Sequence, residues 1–158
     1  MEIKNIEKLL EPFIWNDAAG LTTKSLGEAA GSEKIYVNID SVPPKAYSTR
    51  YHSHSQQEEF FLILSGTGTI RLNDEEITVR KGDFIAKPAG KNITHTFYNS
   101  SDEMLTILDI GTNETEDTCY YPDEDMYMQK SNGVRRIFKG TDLNASWAPD
   151  PNPSKSEN

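Results

Sequence analysis

The chain carries three histidines, His52, His54 and His95, and the first two are separated by a single residue. Side chains alternate along a strand, so in an extended segment His52 and His54 face the same side. Two neutral imidazoles each supply a lone pair, and a nearby carboxylate offsets part of the charge of a borderline divalent ion. Glu58 and Glu59 follow closely, and only one of them can share the histidine face. Choosing Glu59 turns Phe61 and Ile63 inward with it. The same alternation places Ser48 and Arg50 beside His52 and turns Tyr51 and Ser53 outward. An inward Arg50 guanidinium suits a carboxylate or phosphate held bidentately; the competing reading is a strand-edge arginine reaching solvent.

The elements that must position these groups are short. From residue 34 to about 111, apolar or alternating runs are broken by Gly, Pro, Asn and Asp, the texture of a sandwich or barrel. Strands are expected at 35–39, 47–52, 59–64, 68–72, 76–80, 83–87, 95–99 and 104–110. Asn73-Asp74 reads as a hairpin turn, because both residues tolerate left-handed backbone. Pro88-Ala89-Gly90 marks a second turn. Residues 1–33 form a lead-in arm in which Ile3, Ile6, Leu9, Leu10 and Ile14 are spaced partly like a helix face. Residues 113–147 read as an acidic loop plus one or two further strands packed on the barrel, and 148–158 as a disordered tail.

At 158 residues the chain fits one domain with a real core. Its formal net charge of -9 repels phosphate backbones and anionic lipids, so neither nucleic acid nor membrane is an expected partner. Residues 1–11 lack the apolar core of a signal peptide and no segment could span a bilayer, so the expectation is a cytoplasmic protein. Cys119 is the only cysteine, which excludes an internal disulfide and a cysteine-rich zinc site; it reads as a small apolar filler. The acidic run at 114–125 lacks the spacing and central glycine of a calcium-binding EF-hand loop. No repeat of solenoid or propeller length is present.

His52-Ser53-His54, four residues, Glu59, six residues and Gly66 resembles the first motif of the cupin superfamily. Its spacing selects Glu59 over Glu58. Gly82, five residues, Pro88-Ala89-Gly90, His95 and Asn99 resembles the second motif. Two positions depart from the pattern: Ala46 stands where a glycine is usual, and four residues rather than two separate Gly90 from His95. The first is harmless, and the second lengthens a turn beside the site. Together with Ile110-Gly111-Thr112 and the segment 121–125, the pattern is similar to a group of small bacterial cupins, some labelled as sugar-phosphate isomerases.

The resemblance implies an all-β double-stranded β-helix, the cupin or jelly-roll barrel. It implies one divalent metal ion (Fe, Mn, Ni, Zn or Co) on His52, His54, Glu59 and His95, with two coordination positions open. Phe61 and Phe97 are expected as pocket walls by alternation, and Arg50 as a substrate contact, while Asn99 is expected to hydrogen bond within the barrel. A homodimer is also implied, with the lead-in arm covering an edge or swapping. The metal site transfers with the resemblance and the substrate does not, because one fold hosts many reactions. Three functions follow: isomerisation of a small sugar or sugar phosphate, Fe(II)-dependent dioxygenation of a small organic substrate, or non-catalytic binding of a small molecule. An isomerase needs a base, and no fourth histidine exists; Glu58, a tyrosine or a hydroxide on the ion would have to serve, and Glu58 is expected to face away.

Overall fold

A computed structural model describes residues 2–9, 13–14 and 20–144. The tail expected at 148–158 lies outside the described residues. Thirteen strands account for most of the described chain: β1 (Phe13–Ile14), β2 (Thr22–Ser25), β3 (Ile35–Val42), β4 (Ser53–His54), β5 (Glu59–Ser65), β6 (Thr67–Leu72), β7 (Glu75–Arg80), β8 (Phe84–Lys87), β9 (His95–Tyr98), β10 (Leu105–Thr112), β11 (Glu116–Tyr121), β12 (Met126–Ser131) and β13 (Val134–Lys139). Among the described residues helix is confined to α1 (Leu26–Ala30) and two 3-10 turns. The fold is all-β, as expected.

Every strand pairing is antiparallel. One sheet runs β1-β2-β3-β10-β5-β8, a second β13-β12-β11-β4, and a third β7-β6-β9. Single bridges join Tyr47 to Tyr98 and His52 to His95, tying the segment before β4 onto β9. Alternation along each strand builds the interior. Phe61 and Ile63 of β5, Ile70 of β6, Phe97 of β9, and Leu105 and Ile107 of β10 are all buried, and close on Val42 and Val79. Their partners on the opposite parity are polar or only partly covered. The apolar layer fills one end of the barrel, and the histidine face lies above it.

Local chemistry sets the turns. Asn73 and Asp74 both hold positive φ, at 47° and 66°, matching the twist that a two-residue hairpin between β6 and β7 requires. Gly66, at φ 82°, turns β5 into β6 where a Cβ would lie 2.5 Å from the Met104 carbonyl oxygen. Only glycine meets both conditions. The lengthened turn after Gly90 puts Asn92 at φ 52° and returns through Thr94, whose backbone N–H donates to Asn73 Oδ1 at 3.0 Å. The extra residues are thereby anchored to the β6–β7 hairpin.

Three local expectations change. Residues 47–52 are an irregular segment held by bridges, not a strand. The lead-in contributes a short 3-10 turn (Ile6–Lys8) and strand β2, which pairs with β3. The acidic stretch after β10 contains a full strand, β11, which pairs with β4 and turns Asp117, Cys119 and Tyr121 toward the histidines. Acidic composition lowers strand propensity but does not override a register that buries every second side chain.

Candidate metal centre

β4 and the residues before it present His52 and His54, and β5 presents Glu59. The ligating atoms of these three residues lie within 4.8 Å of one another, and His52 and Glu59 are buried. His52 Nε2 and His54 Nε2 are 3.0 Å apart, and Glu59 Oε1 is 3.5 Å from His54 Nε2.

The outer nitrogens fix the state of the rings. His52 Nδ1 lies 2.7 Å from the Arg50 carbonyl oxygen, which can only accept, so Nδ1 carries the proton. His54 Nδ1 lies 2.6 Å from Asp117 Oδ2, again an acceptor. With both rings neutral, as metal ligation requires, both Nε2 atoms are bare, and two lone pairs 3.0 Å apart repel unless a cation lies between them. The donor set fits a divalent metal ion. It also matches the pattern in which a carboxylate or carbonyl behind each ligating histidine sets its tautomer.

Asp117 is built for that task. Its Oδ1 accepts from the backbone N–H groups of Ser55 and Gln56 at 3.1 and 2.9 Å and from the Ser55 hydroxyl at 3.1 Å. Burial opposes its charge, but the hydrogen bonds from His54 and Gln56 outweigh that cost and hold the carboxyl well below the usual range. Cys119 Sγ lies 3.3 Å from His54 Nδ1. Burial, then Asp117, pushes its thiol up to about 12, so it remains a neutral packing group against the histidine. Tyr121 stacks on His52 with ring centroids 5.6 Å apart.

The His52 imidazole is drawn down to about 4 by burial and then by His54 and Lys87. Burial raises and Lys87 and His54 lower the Glu59 carboxyl, which ends below its ordinary value and ionised. Glu59 Oε1 accepts from Tyr36 and Gln57, each at 3.2 Å. Its Oε2 meets Lys87 Nζ at 2.5 Å as an ion pair whose angles fall outside hydrogen-bond geometry.

The expected residues are not all placed alike. His95 is buried and stands outside the three-donor group; its Nδ1 lies 2.8 Å from Lys87 Nζ. Phe61 and Phe97 lie directly below, with Phe61 4.8 Å from the His95 ring and 5.3 Å from Phe97, and both line the cavity. Arg50 is at the mouth, 71% exposed and ion-paired with Glu124, because irregular backbone at 47–52 breaks the alternation that would have turned it inward. Asn99 is fully buried and bridges the Val42 and Glu103 carbonyls, the structural part expected of it.

Sequence reasoning missed Lys87, Asp117 and a polar wall on β3 and β10. Lys87 closes β8 opposite Glu59 in register, and it is 3% exposed. The wall comprises Tyr36 and Asp40 of β3 and Asp109 of β10. The Tyr36 hydroxyl is 3.0 Å from Asp109 Oδ1, and Thr23 donates to Asp40 at 2.5 Å. Burial, with Asp40 and Glu59 nearby, holds Asp109 well above the ordinary carboxyl range. Strand parity carried the signal for Lys87, two residues after the inward Ile85, and for Tyr36, Asn38 and Asp40. Tyr36, Asn38, Asp40, Asp109 and the three histidines line one open cavity of about 1480 Å3.

Residues 38–111 match the sequence profile of the Cupin domain family. The barrel is a cupin domain. Two solved structures resemble it over most of their length. One is a sugar phosphate isomerase from the cupin superfamily of Silicibacter pomeroyi, 25% identical over 89% of this chain and 94% of that one, TM-score 0.81. The other is a provisionally named sugar phosphate isomerase of Acidithiobacillus ferrooxidans, 28% identical over 82% and 83%, TM-score 0.77. An uncharacterized protein of Methanocaldococcus jannaschii is 31% identical over 83 residues, 52% of this chain and 58% of that one. The chain thus spans little more than half the length of that curated relative. Among the described residues no helix is long and apolar enough to cross a membrane.

Proposed function

We propose that this cupin holds one divalent metal ion through His52, His54 and Glu59 and isomerises a small sugar or sugar phosphate. The observation that carries the reading is the facing pair of bare imidazole nitrogens opening onto a cavity lined by hydroxyl-binding groups. Tyr36, Asn38, Asp40 and Asp109 offer donors and acceptors suited to a polyol along one wall. At the mouth, the exposed guanidinium of Arg50, paired with Glu124, lines the cavity where a substrate phosphate would reach. The likeness to the two structures bearing isomerase names supports the same class.

When bound, the ion withdraws charge from the carbonyl and neighbouring hydroxyl oxygens of the substrate. Asp117 and the Arg50 carbonyl keep the histidine tautomers in place, and Phe61 and Phe97 exclude water from below. Asp109, which burial holds well above the ordinary carboxyl range, lines the cavity and, when ionised, is suited to take the proton from the carbon beside the carbonyl and return it to the former carbonyl carbon. Tyr36 bridges Asp109 to Glu59 and orients it. Glu58, exposed on the outer face, plays no part.

A second reading has one observation in its favour. Two histidines and a carboxylate with open positions is also the donor set of non-haem Fe(II) oxygenases. Proton NMR in D2O separates the two. With a divalent metal and a panel of aldose and ketose phosphates, isomerisation incorporates deuterium at the carbon beside the carbonyl. Asp109→Asn should abolish that exchange while retaining metal. Oxygen uptake with Fe(II) and no exchange would replace the isomerase by the dioxygenase, and neither signal would leave a non-catalytic binder.

A further inference from the structure

The cavity that holds the histidines continues past them. Its volume, about 1480 Å3, exceeds the roughly 300–1,000 Å3 of pockets that enclose a drug-sized ligand, so one small sugar leaves much of it open. The remainder lies on the outer face of β6 and β9. Ile70 and Phe97 pair in register and are buried in the core, so by alternation Thr69, Arg71 and Tyr98 point outward. The bridge from Tyr47 to Tyr98 brings Tyr47 to the same face, where the two rings lie 4.7 Å apart at 39°. Tyr47 is 61% exposed. A lone exposed apolar ring is ordinary, but here Tyr47, Thr49, Thr69, Arg71 and Tyr98 line the same cavity as the metal donors.

We infer that this outer groove binds a second, neutral sugar ring, so that the substrate is a disaccharide-like glycoside whose reducing-end sugar reacts at the metal. This rests on the isomerase reading above for the chemistry at the metal. The exposed tyrosine face packs against the C–H face of a pyranose, and the hydroxyls of Tyr47, Thr49 and Thr69 offer donors and acceptors to its hydroxyls. Arg71 lies 3.7 Å over the Tyr51 ring and pairs with Asp74 and Asp123 at 2.6 and 2.7 Å. Its five N–H donors are not exhausted by two carboxylates, but its charge is balanced by them, and Glu76 faces it in register. Such surroundings favour a neutral, hydroxyl-bearing ring over a nucleotide or a second phosphate. Between Tyr47 and His52 the chain passes from groove to metal, with Arg50 at the junction, so one ligand can span both.

Saturation-transfer NMR on the full chain with Zn(II) present tests this by affinity rather than turnover. The probes are glucose and mannose, and disaccharides that carry each at the reducing end: maltose, cellobiose, lactose and mannobiose. Wild type, Tyr47→Ala and Tyr47→Phe are compared after circular dichroism shows each folded. At least one disaccharide should bind wild type roughly 5–10-fold more tightly than its own reducing-end sugar, from covering on the order of 50 Å2 of apolar ring surface. Tyr47→Ala should remove that advantage and leave the monosaccharide affinity unchanged, and Tyr47→Phe should keep most of it. Equal binding of monosaccharides and disaccharides by wild type, or an advantage that survives Tyr47→Ala, overturns the inference and leaves the isomerase reading to its deuterium exchange. Disaccharide binding through Tyr47 without deuterium exchange overturns the isomerase reading and leaves a sugar-binding groove. Absence of binding by any of these sugars overturns both.

Discussion

Replacing Asp117 by Asn tests whether the histidine tautomers are set from behind. The change is nearly isosteric, so packing is kept and only donors and acceptors change. Asp117 Oδ1 faces three donors, the Ser55 and Gln56 N–H groups and the Ser55 hydroxyl, so an asparagine must place its carbonyl oxygen there. Its NH2 is then forced toward His54 Nδ1, 2.6 Å from the atom it replaces. Two donors cannot face each other, so His54 must carry its proton on Nε2 instead, and the lone pair that faces His52 is lost. Loss of an outer-shell partner costs about 10–100-fold in metal affinity, or roughly 1.4–2.8 kcal/mol. Here the tautomer inverts, so the upper end of that range is expected. Competition against a chelating dye, using Zn(II) at neutral pH, reads the change directly. An Asp117→Asn variant that is folded and binds Zn(II) like wild type would refute the argument.

Three further outcomes are expected. His52, drawn from 6.5 to about 4, is neutral in the native state where the unfolded chain is protonated, so it contributes stability that is lost as pH falls from about 6.5 to 4. Because Asp109 and Asp40, both raised, act with the opposite sign in that window, the contribution is read as the difference in unfolding free energy between metal-free wild type and His52→Gln. It should change by on the order of 3 kcal/mol across those pH values, and a flat difference would contradict it. Asn99→Ala takes the side-chain donor from the buried Val42 carbonyl and the acceptor from the Ser101 N–H, leaving the Glu103 carbonyl only the Ser101 hydroxyl, and urea melts should show a loss of about 1–3 kcal/mol. Gly111→Ala places a Cβ 2.5 Å from the Tyr36 ring and hydroxyl, so it should lower stability by about 1–3 kcal/mol and shift Tyr36 from Glu59, visible as a changed tyrosine absorbance.

The fold was legible because its signals are local and periodic. The alternation at 59–65 and 105–112, the Asn73-Asp74 turn and the spacing of His52, His54 and Glu59 each specify backbone and face together. The resemblance named four ligands, of which the structure groups His52, His54 and Glu59. What the sequence hid depends on partners distant along the chain. Asp117 gains its meaning only when β11 pairs with β4, 63 residues away from His54. Its acidic surroundings read as a solvated loop because composition says nothing of a register that buries every second residue. Arg50 erred the other way, since alternation was extended through a segment that bridges hold in irregular form. Lys87 was hidden by its type: a lysine is almost never buried unless paired, and its pair, Glu59, was already assigned to the metal.

The central claim, a metal centre on His52, His54 and Glu59, is tested most directly by metal content. Wild type purified without chelator, beside His52→Ala, His54→Ala and Glu59→Gln, would be analysed by elemental mass spectrometry before and after reconstitution. One divalent ion per wild-type chain is expected, and its loss in all three variants. Wild type that holds no ion even after reconstitution, or variants that keep it, would contradict the account.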